Sequence, residues 1–147
     1  MKVKDIMTKK VISIKPEDNA KDALELLFKM RISGLPVIDA AGKLSGMFTE
    51  KEVINTIIPS YAEKVGVYVY EEDPKIVKQK VSNFASLKVK DVMRKEVITT
   101  TEETSLCEVA HIMFRQKARR LPVLDKSGNV VGIIARQDVV SAIFRGE

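Results

Sequence analysis

The sequence predicts an α+β fold built from two copies of one unit, each in the order strand, helix, strand, strand, helix (βαββα), with a structured connector between them. A fixed repeat is the first observation. Leu35-Pro36-Val37 returns as Leu121-Pro122-Val123, Asp39 as Asp125, Gly42 as Gly128 and Gly46 as Gly132, all at an offset of 86 residues. Lys2-Val3-Lys4-Asp5-Ile6-Met7 returns at the same offset as Lys88-Val89-Lys90-Asp91-Val92-Met93, and about a third of positions 2–57 match their partners without a gap. A change of hydrophobic period inside each copy is the second, from helical spacing to short apolar runs broken by a turn glycine. These place the first copy at 1–59, a connector at 60–87 and the second copy at 88–147.

In chain order, 4–10 reads as a short polar segment around Ile6 and Met7, and Val11–Ile14 as a β-branched strand. Pro16-Glu17-Asp18-Asn19 supplies a turn and a helix cap. A helix from Ala20 to about Arg31 follows, with Ala20, Ala23, Leu24, Leu27 and Met30 at helical spacing and Leu26 and Phe28 widening the apolar face. Gly34–Asp39 and Lys43–Phe48 form a hairpin across Gly42, and a second helix starts after Thr49. In the second copy Ser105 and Glu108 give a capping-box pattern, with Leu106, Val109, Ala110, Ile112 and Met113 facing inward. Pro59 closes the first copy. Within the connector, 65–70 looks extended and Asp73-Pro74 opens a helix whose apolar side is Ile76, Val77, Val81 and Phe84. Either a packed crossover or a ligand lid or docking surface fits such a connector.

Composition narrows the class. In 147 residues, 45% are apolar, and each copy is near the lower size limit for a core of its own, so the copies are expected to share one. No apolar run approaches the roughly 20 residues that cross a bilayer. The charged opening residues do not read as a signal peptide, and the single cysteine, Cys107, has no internal disulfide partner. A reducing, cytoplasmic setting is expected. The net charge of +5 is spread among carboxylates without a basic run, which argues against nucleic acid.

Catalytic chemistry is poorly represented. The only histidine, His111, lies four residues after Cys107 on a predicted helix. Two such ligands do not complete a metal site, and a face packed on a neighbour explains them more simply. No catalytic residue, metal site or required cofactor is expected. The polar residues after each glycine hairpin are more informative. Thr49 and Glu52 follow Gly46, while Ala135 and Asp138 follow Gly132. Helix capping explains them, and so does a site in which the carboxylate accepts a ribose diol and free amides receive phosphate. Arg119 and Arg120, where the first copy has Ser33 and Gly34, favour a phosphate site in the second copy. The apolar helix faces, including Phe28, Phe114 and Ile143, exceed what one chain covers and predict a two-fold homodimer.

Taken together, Val-x-Asp-Ile-Met-Thr, the Ala-rich helix, Leu-Pro-Val-Ile-Asp, the glycine hairpin and Gly-x-x-Thr-x-x-Glu/Asp resemble the CBS domain, here occurring twice as a CBS pair or Bateman module. The resemblance covers the chain outside the connector. It implies two repeats related by pseudo-twofold symmetry, with clefts that take AMP, ADP, ATP or S-adenosylmethionine. It maps the ribose carboxylate to Asp138, with Ala135 in place of the motif hydroxyl. The first copy keeps Thr49 but has Glu52 at the carboxylate position. The basic residues map to Arg119 and Arg120. The adenine wall is implied to come from the start of the other repeat: Met7, Thr8 and Ile12 for the Asp138 site, Met93 and Ile98 for the Glu52 site. The expected function is a stand-alone regulatory module, not an enzyme, that binds an adenosyl ligand and signals to an effector protein. The alternative is a structural or interaction module with no physiological small-molecule ligand.

Overall fold

Val3 and Val89 stand among exposed lysines, yet each is fully buried. The computed structural model, which describes residues 1–57 and 74–146, shows where they go. The chain divides into two compact units: Met1–Ser13, Ile38–Leu44 and Glu96–Glu147 in one, Ile14–Val37 and Ser45–Lys95 in the other. Each unit therefore joins the body of one repeat to the opening segment of its sister.

In the first unit the opening segment is one helical turn, α1 (Val3–Ile6), where the sequence suggested only a polar stretch. Asp5 caps it by accepting from the Lys2 amide at 2.8 Å. Its own amides dock on the second repeat: Val3 N–H donates to the Thr104 carbonyl at 2.9 Å and Lys4 N–H to that of Glu102 at 3.1 Å. Val3 then joins a core with Val109, Met113, Leu121, Val123, Ile134 and Val139. Burying a valine side chain contributes about 1.5–3 kcal/mol.

That core is carried by β3 (Thr100–Thr101), α6 (Leu106–Gln116), β4 (Arg120–Leu124), β5 (Val130–Ala135) and α7 (Arg136–Arg145). Strand β3 runs parallel to β4, and β4 pairs antiparallel with β5. Ser105 Oγ caps α6 by accepting from the Glu108 amide at 3.2 Å, as its capping-box pattern predicts. Asp125 Oδ1 closes the hairpin, accepting from Ser127 and Asn129 amides at 2.9 Å each, and Gly128 supplies the required positive φ of 84°. The tip of the first hairpin belongs here too: Lys43 bridges Asn129, and its ammonium meets the Ser127 carbonyl.

The second unit repeats the design. Its opening turn, α5, spans Val89–Val92; its Val89 amide donates to Asp18 at 2.8 Å and that of Lys90 to Pro16 at 3.0 Å. Val89 packs with Leu27, Val37 and Phe48. Around it lie α2 (Ala20–Met30), the two-stranded sheet of β1 (Gly34–Ile38) and β2 (Leu44–Thr49), and α3 (Glu50–Ile57). Asn19 caps α2, and Arg31 ends it in the left-handed region at φ 56°. The connector helix α4 (Pro74–Ala85) starts at the proline, as expected, and packs on α2 and α3. Its Phe84 is buried, but Val81 is 49% exposed, so the predicted apolar side is narrower than the spacing suggested. The expectations for Pro59, 65–70 and the side chains of Ile76 and Val77 lie outside the described residues.

The first strand of each repeat is shorter than expected. Val11–Ile14 reduces to a single parallel bridge, Ile14 to Val37, and its counterpart β3 has only two residues. The cause is the proline of Leu-Pro-Val. Ile14 N–H donates to the Pro36 carbonyl at 3.1 Å, but Pro36 has no amide to carry the ladder backward. Pro122 stands in the equivalent register beside β3.

Exposed ion pairs fasten both opening turns. Glu103 lies between the Lys2 and Lys4 ammoniums, and Glu17 between those of Lys88 and Lys90. Hydrogen bonds from Lys2 and then Lys4 pull the Glu103 carboxyl down to about 2. Lys88 and Lys90 lower that of Glu17 in the same way. Such exposed pairs are screened and add little each. With a folded value below the unfolded one, the Glu103 contribution is present above about pH 4.5 and is lost as the pH falls toward 2. Glu103→Gln is expected to flatten the acid dependence of the melting temperature across that window and to weaken its salt dependence. An unchanged acid profile would show that the clamp does not form in solution.

Two glycines set how closely the opening segments approach. A Cβ on Gly46 would stand 2.5 Å from the Arg94 carbonyl oxygen, a backbone atom. On Gly132 it would meet the Met7 sulfur at 2.5 Å and the Thr8 carbonyl at 3.1 Å. The thioether can swing aside, but a backbone carbonyl cannot. Gly46→Ala should therefore lower stability by about 1–3 kcal/mol, as overpacking does, and Gly132→Ala by less. Urea titration of both variants checks the order.

Candidate functional site

In the first unit, three stretches that are distant in sequence meet along β5. Thr8 pairs with Ile133, its amide donating to the Ile133 carbonyl at 2.8 Å and its carbonyl accepting from the Ile133 amide at 3.0 Å. This seats Met7 over Gly132, where only a hydrogen fits. Two residues along the strand, Ala135 stands in register with Arg120. The Ala135 amide donates to Asp138 Oδ2 at 2.8 Å, and the Arg136 amide to the Arg119 carbonyl at 3.0 Å. Asp138 is thus fixed at the start of α7, half-buried, and Arg119 and Arg120 enter β4 beside it. Ile12 belongs to the same unit and is 44% exposed.

Capping uses one acceptor of the Asp138 carboxylate, a group with about four lone-pair sites. The remaining capacity lies beside the α7 N-terminus, where the helix dipole and the first amides favour an anion. The Asp138 carboxylate, the backbones of Arg119 and Arg120 and the Met7 thioether are thus brought together along β5. Chemically, the arrangement offers a carboxylate and backbone groups that can bind a ligand.

The second unit holds the equivalent elements in a different state. Met93 lies over Gly46, and Arg94 pairs with Met47 through two hydrogen bonds of 2.9 Å. Thr49 Oγ1 caps α3, accepting from the Glu52 amide at 3.3 Å. The Glu52 side chain is only 13% exposed, and its carboxylate forms an ion pair with Arg94 at 3.5 Å. Ile98, 40% exposed, belongs to the first unit.

The two copies also differ in where they place bulk. In the first, Gly34 sits against Thr49, and a Cβ there would come within 2.8 Å of the Thr49 methyl. In the second, the corresponding positions are Arg120 and Ala135. The lost hydroxyl at Ala135 and the gained guanidinium at Arg120 are thus one exchange: a small residue opposite a larger one in each copy. Sequence reasoning took them as separate features and missed Arg94 altogether. The offset of 86 would have found it, since Arg94 is the counterpart of Thr8.

Cys107 and His111 are both exposed on α6, so the expectation that they face a packed neighbour is not met within the described chain. Among the described residues no three His, Cys, Asp or Glu side chains gather to hold a metal ion. No helix among them is long and apolar enough to cross a membrane.

The CBS domain family model matches residues 3–59 and 89–145. An uncharacterized protein of Methanocaldococcus jannaschii is 32% identical over 98% of this chain and 92% of its own length. The chloroplastic CBS domain-containing protein CBSX1 of Arabidopsis thaliana is 34% identical over 97% of this chain and 64% of its own. Similarity to an inosine-5'-monophosphate dehydrogenase of M. jannaschii, at 29% identity, covers 95% of this chain but only 23% of that enzyme. Among solved structures, CBSX2 in complex with AMP superposes with a TM-score of 0.75 at 29% identity, covering 98% of this chain and 96% of that one. The CBS domain pair of protein MJ0100, solved with 5'-methylthioadenosine and S-adenosyl-L-methionine, superposes at 0.69 with 27% identity, covering 99% and 97%. With two matched domains spanning most of its length, the chain belongs to the CBS domain family, as a tandem pair.

Proposed function

We propose that the protein is a regulatory CBS pair that binds an adenine nucleotide or S-adenosylmethionine at the Asp138 end of β5 and passes the binding state to an effector protein. The observation that carries this reading is the register: Arg120 opposite Ala135, Asp138 on the Ala135 amide, and Thr8 paired with Ile133 two residues before. In this reading Asp138 takes the ribose hydroxyls, Arg119 or Arg120 the phosphate, and Met7, Thr8 and Ile12 flank the base. The similar pairs crystallised with AMP and with S-adenosyl-L-methionine support the ligand class. The proposed role is binding rather than catalysis, and a cytoplasmic setting suits the exposed, single Cys107.

A carboxylate hydrogen bond contributes about 1.5–3 kcal/mol, and about 1.4 kcal/mol is one decade in affinity. Asp138→Ala is therefore expected to weaken adenosyl binding at least about tenfold. Because the same substitution removes a helix cap, Asp138→Asn, which keeps a capping oxygen, is the control. Calorimetry decides: unchanged affinity in both variants would contradict the assignment.

A two-fold dimer belongs to the proposal. Phe114, Val140, Ile143 and Phe144 are 83%, 51%, 56% and 85% exposed, and with Met113 and Val139 several of them line a groove between α6 and α7. Phe28 is 62% exposed. Sedimentation at tens of micromolar is expected to show a dimer, and Phe114→Glu to shift it toward monomer. The same apolar surface favours the second reading, an interaction module without a ligand. Failure of AMP, ADP, ATP and S-adenosylmethionine to raise the melting temperature would select it, since a ligand at 100 times its Kd adds about 2.7 kcal/mol.

A further inference from the structure

Arg94 and Thr8 are the same position in the two opening segments, and both are anchored by their backbones beside the hairpin glycine, Arg94 on Met47 and Thr8 on Ile133. Their side chains differ in consequence. Thr8 is short. Arg94 reaches Glu52, the residue in the place of Asp138, and pairs with it at 3.5 Å. Glu52 is the more enclosed partner, with 13% of its side chain exposed against 44% for Arg94.

We infer that Arg94 is a built-in occupant that closes the Glu52 side, so that the chain carries one adenosyl site rather than two. The inference rests on the nucleotide-binding reading above and deepens it. A ribose offers neutral hydroxyls. To reach the largely enclosed Glu52 carboxylate it would have to displace a guanidinium, exchanging a charged partner for weaker neutral bonds. The segment carrying Arg94 is held on Met47 by two backbone hydrogen bonds, which fix the point from which its side chain reaches Glu52. Phosphate is no remedy for the ribose subsite, because the first copy has Ser33 and Gly34 where the second has Arg119 and Arg120.

The test is calorimetric stoichiometry with AMP and with S-adenosylmethionine on the full chain. Wild type is expected to bind one equivalent, and Arg94→Lys, which keeps the cation, also one. Arg94→Thr restores the Thr8-like state and should bind two. In Arg94→Thr with Asp138→Ala, the equivalent at the Asp138 side should weaken at least about tenfold and the new one should persist. Should Arg94→Thr fail to fold, Arg94→Thr with Glu52→Asp, which mirrors the Thr8 and Asp138 pair, is titrated in its place with two equivalents expected. Two equivalents in wild type, or one in the opened variant, overturns the inference while leaving nucleotide binding intact. No binding by any variant removes the nucleotide reading and the inference with it.

Discussion

Docking of a short opening segment on the body of the other repeat is the constraint on which the structure depends. Val3 completes the core around Leu121 and Ile134, and Val89 that around Leu27 and Phe48. Neither repeat body contains its own copy of this residue. A repeat of about 55 residues is close to the size below which a single core is marginal. The exchange gives each body a buried valine and backbone hydrogen bonds, such as Val3 to Thr104 and Val89 to Asp18, from the opening segment of the other repeat. A fold of this kind cannot be halved at the connector without removing a piece of both cores.

The same exchange builds the site. Because Met7 and Thr8 follow directly from Val3, anchoring Val3 delivers them to Gly132 and Ile133. Hairpin pairing delivers Arg120 to Ala135, and the helix start delivers Asp138 to the same residue. Each placement is a backbone consequence. Side-chain chemistry then distinguishes the copies: Arg120 over Ala135 with Thr8 in one, Gly34 against Thr49 with Arg94 in the other. Similar scaffolds thus hold one carboxylate capping the start of α7 and another in an ion pair.

Much of this was legible in the sequence, and the exceptions have physical reasons. The hairpins were readable because Asp39, Gly42, Asp125 and Gly128 leave little choice of turn, and the helices because Asn19 and Ser105 cap clear apolar stripes. The first strand was over-read: β-branched residues at 11–14 signal extension, but the proline of the neighbouring strand decides how far pairing runs. Helix α1 was missed because one turn is too short for a period to appear. The outward placement of Cys107 and His111 could not be told from spacing, which fixes a shared face but not what the face meets. Arg94 was invisible to a search for motifs, since it is a departure from one.

The central claim is that the opening residues of the first repeat and the Asp138 helix form one ligand site, and that its counterpart is closed. Amide and methyl resonances followed by NMR during titration with AMP test it most directly. The account predicts that Met7, Thr8, Ile133 and Asp138 shift together at a common midpoint, while Met93, Arg94, Met47 and Glu52 stay in place. Shifts confined to Met93, Arg94 and Glu52, or shifts of Asp138 without Met7 and Thr8, would contradict it.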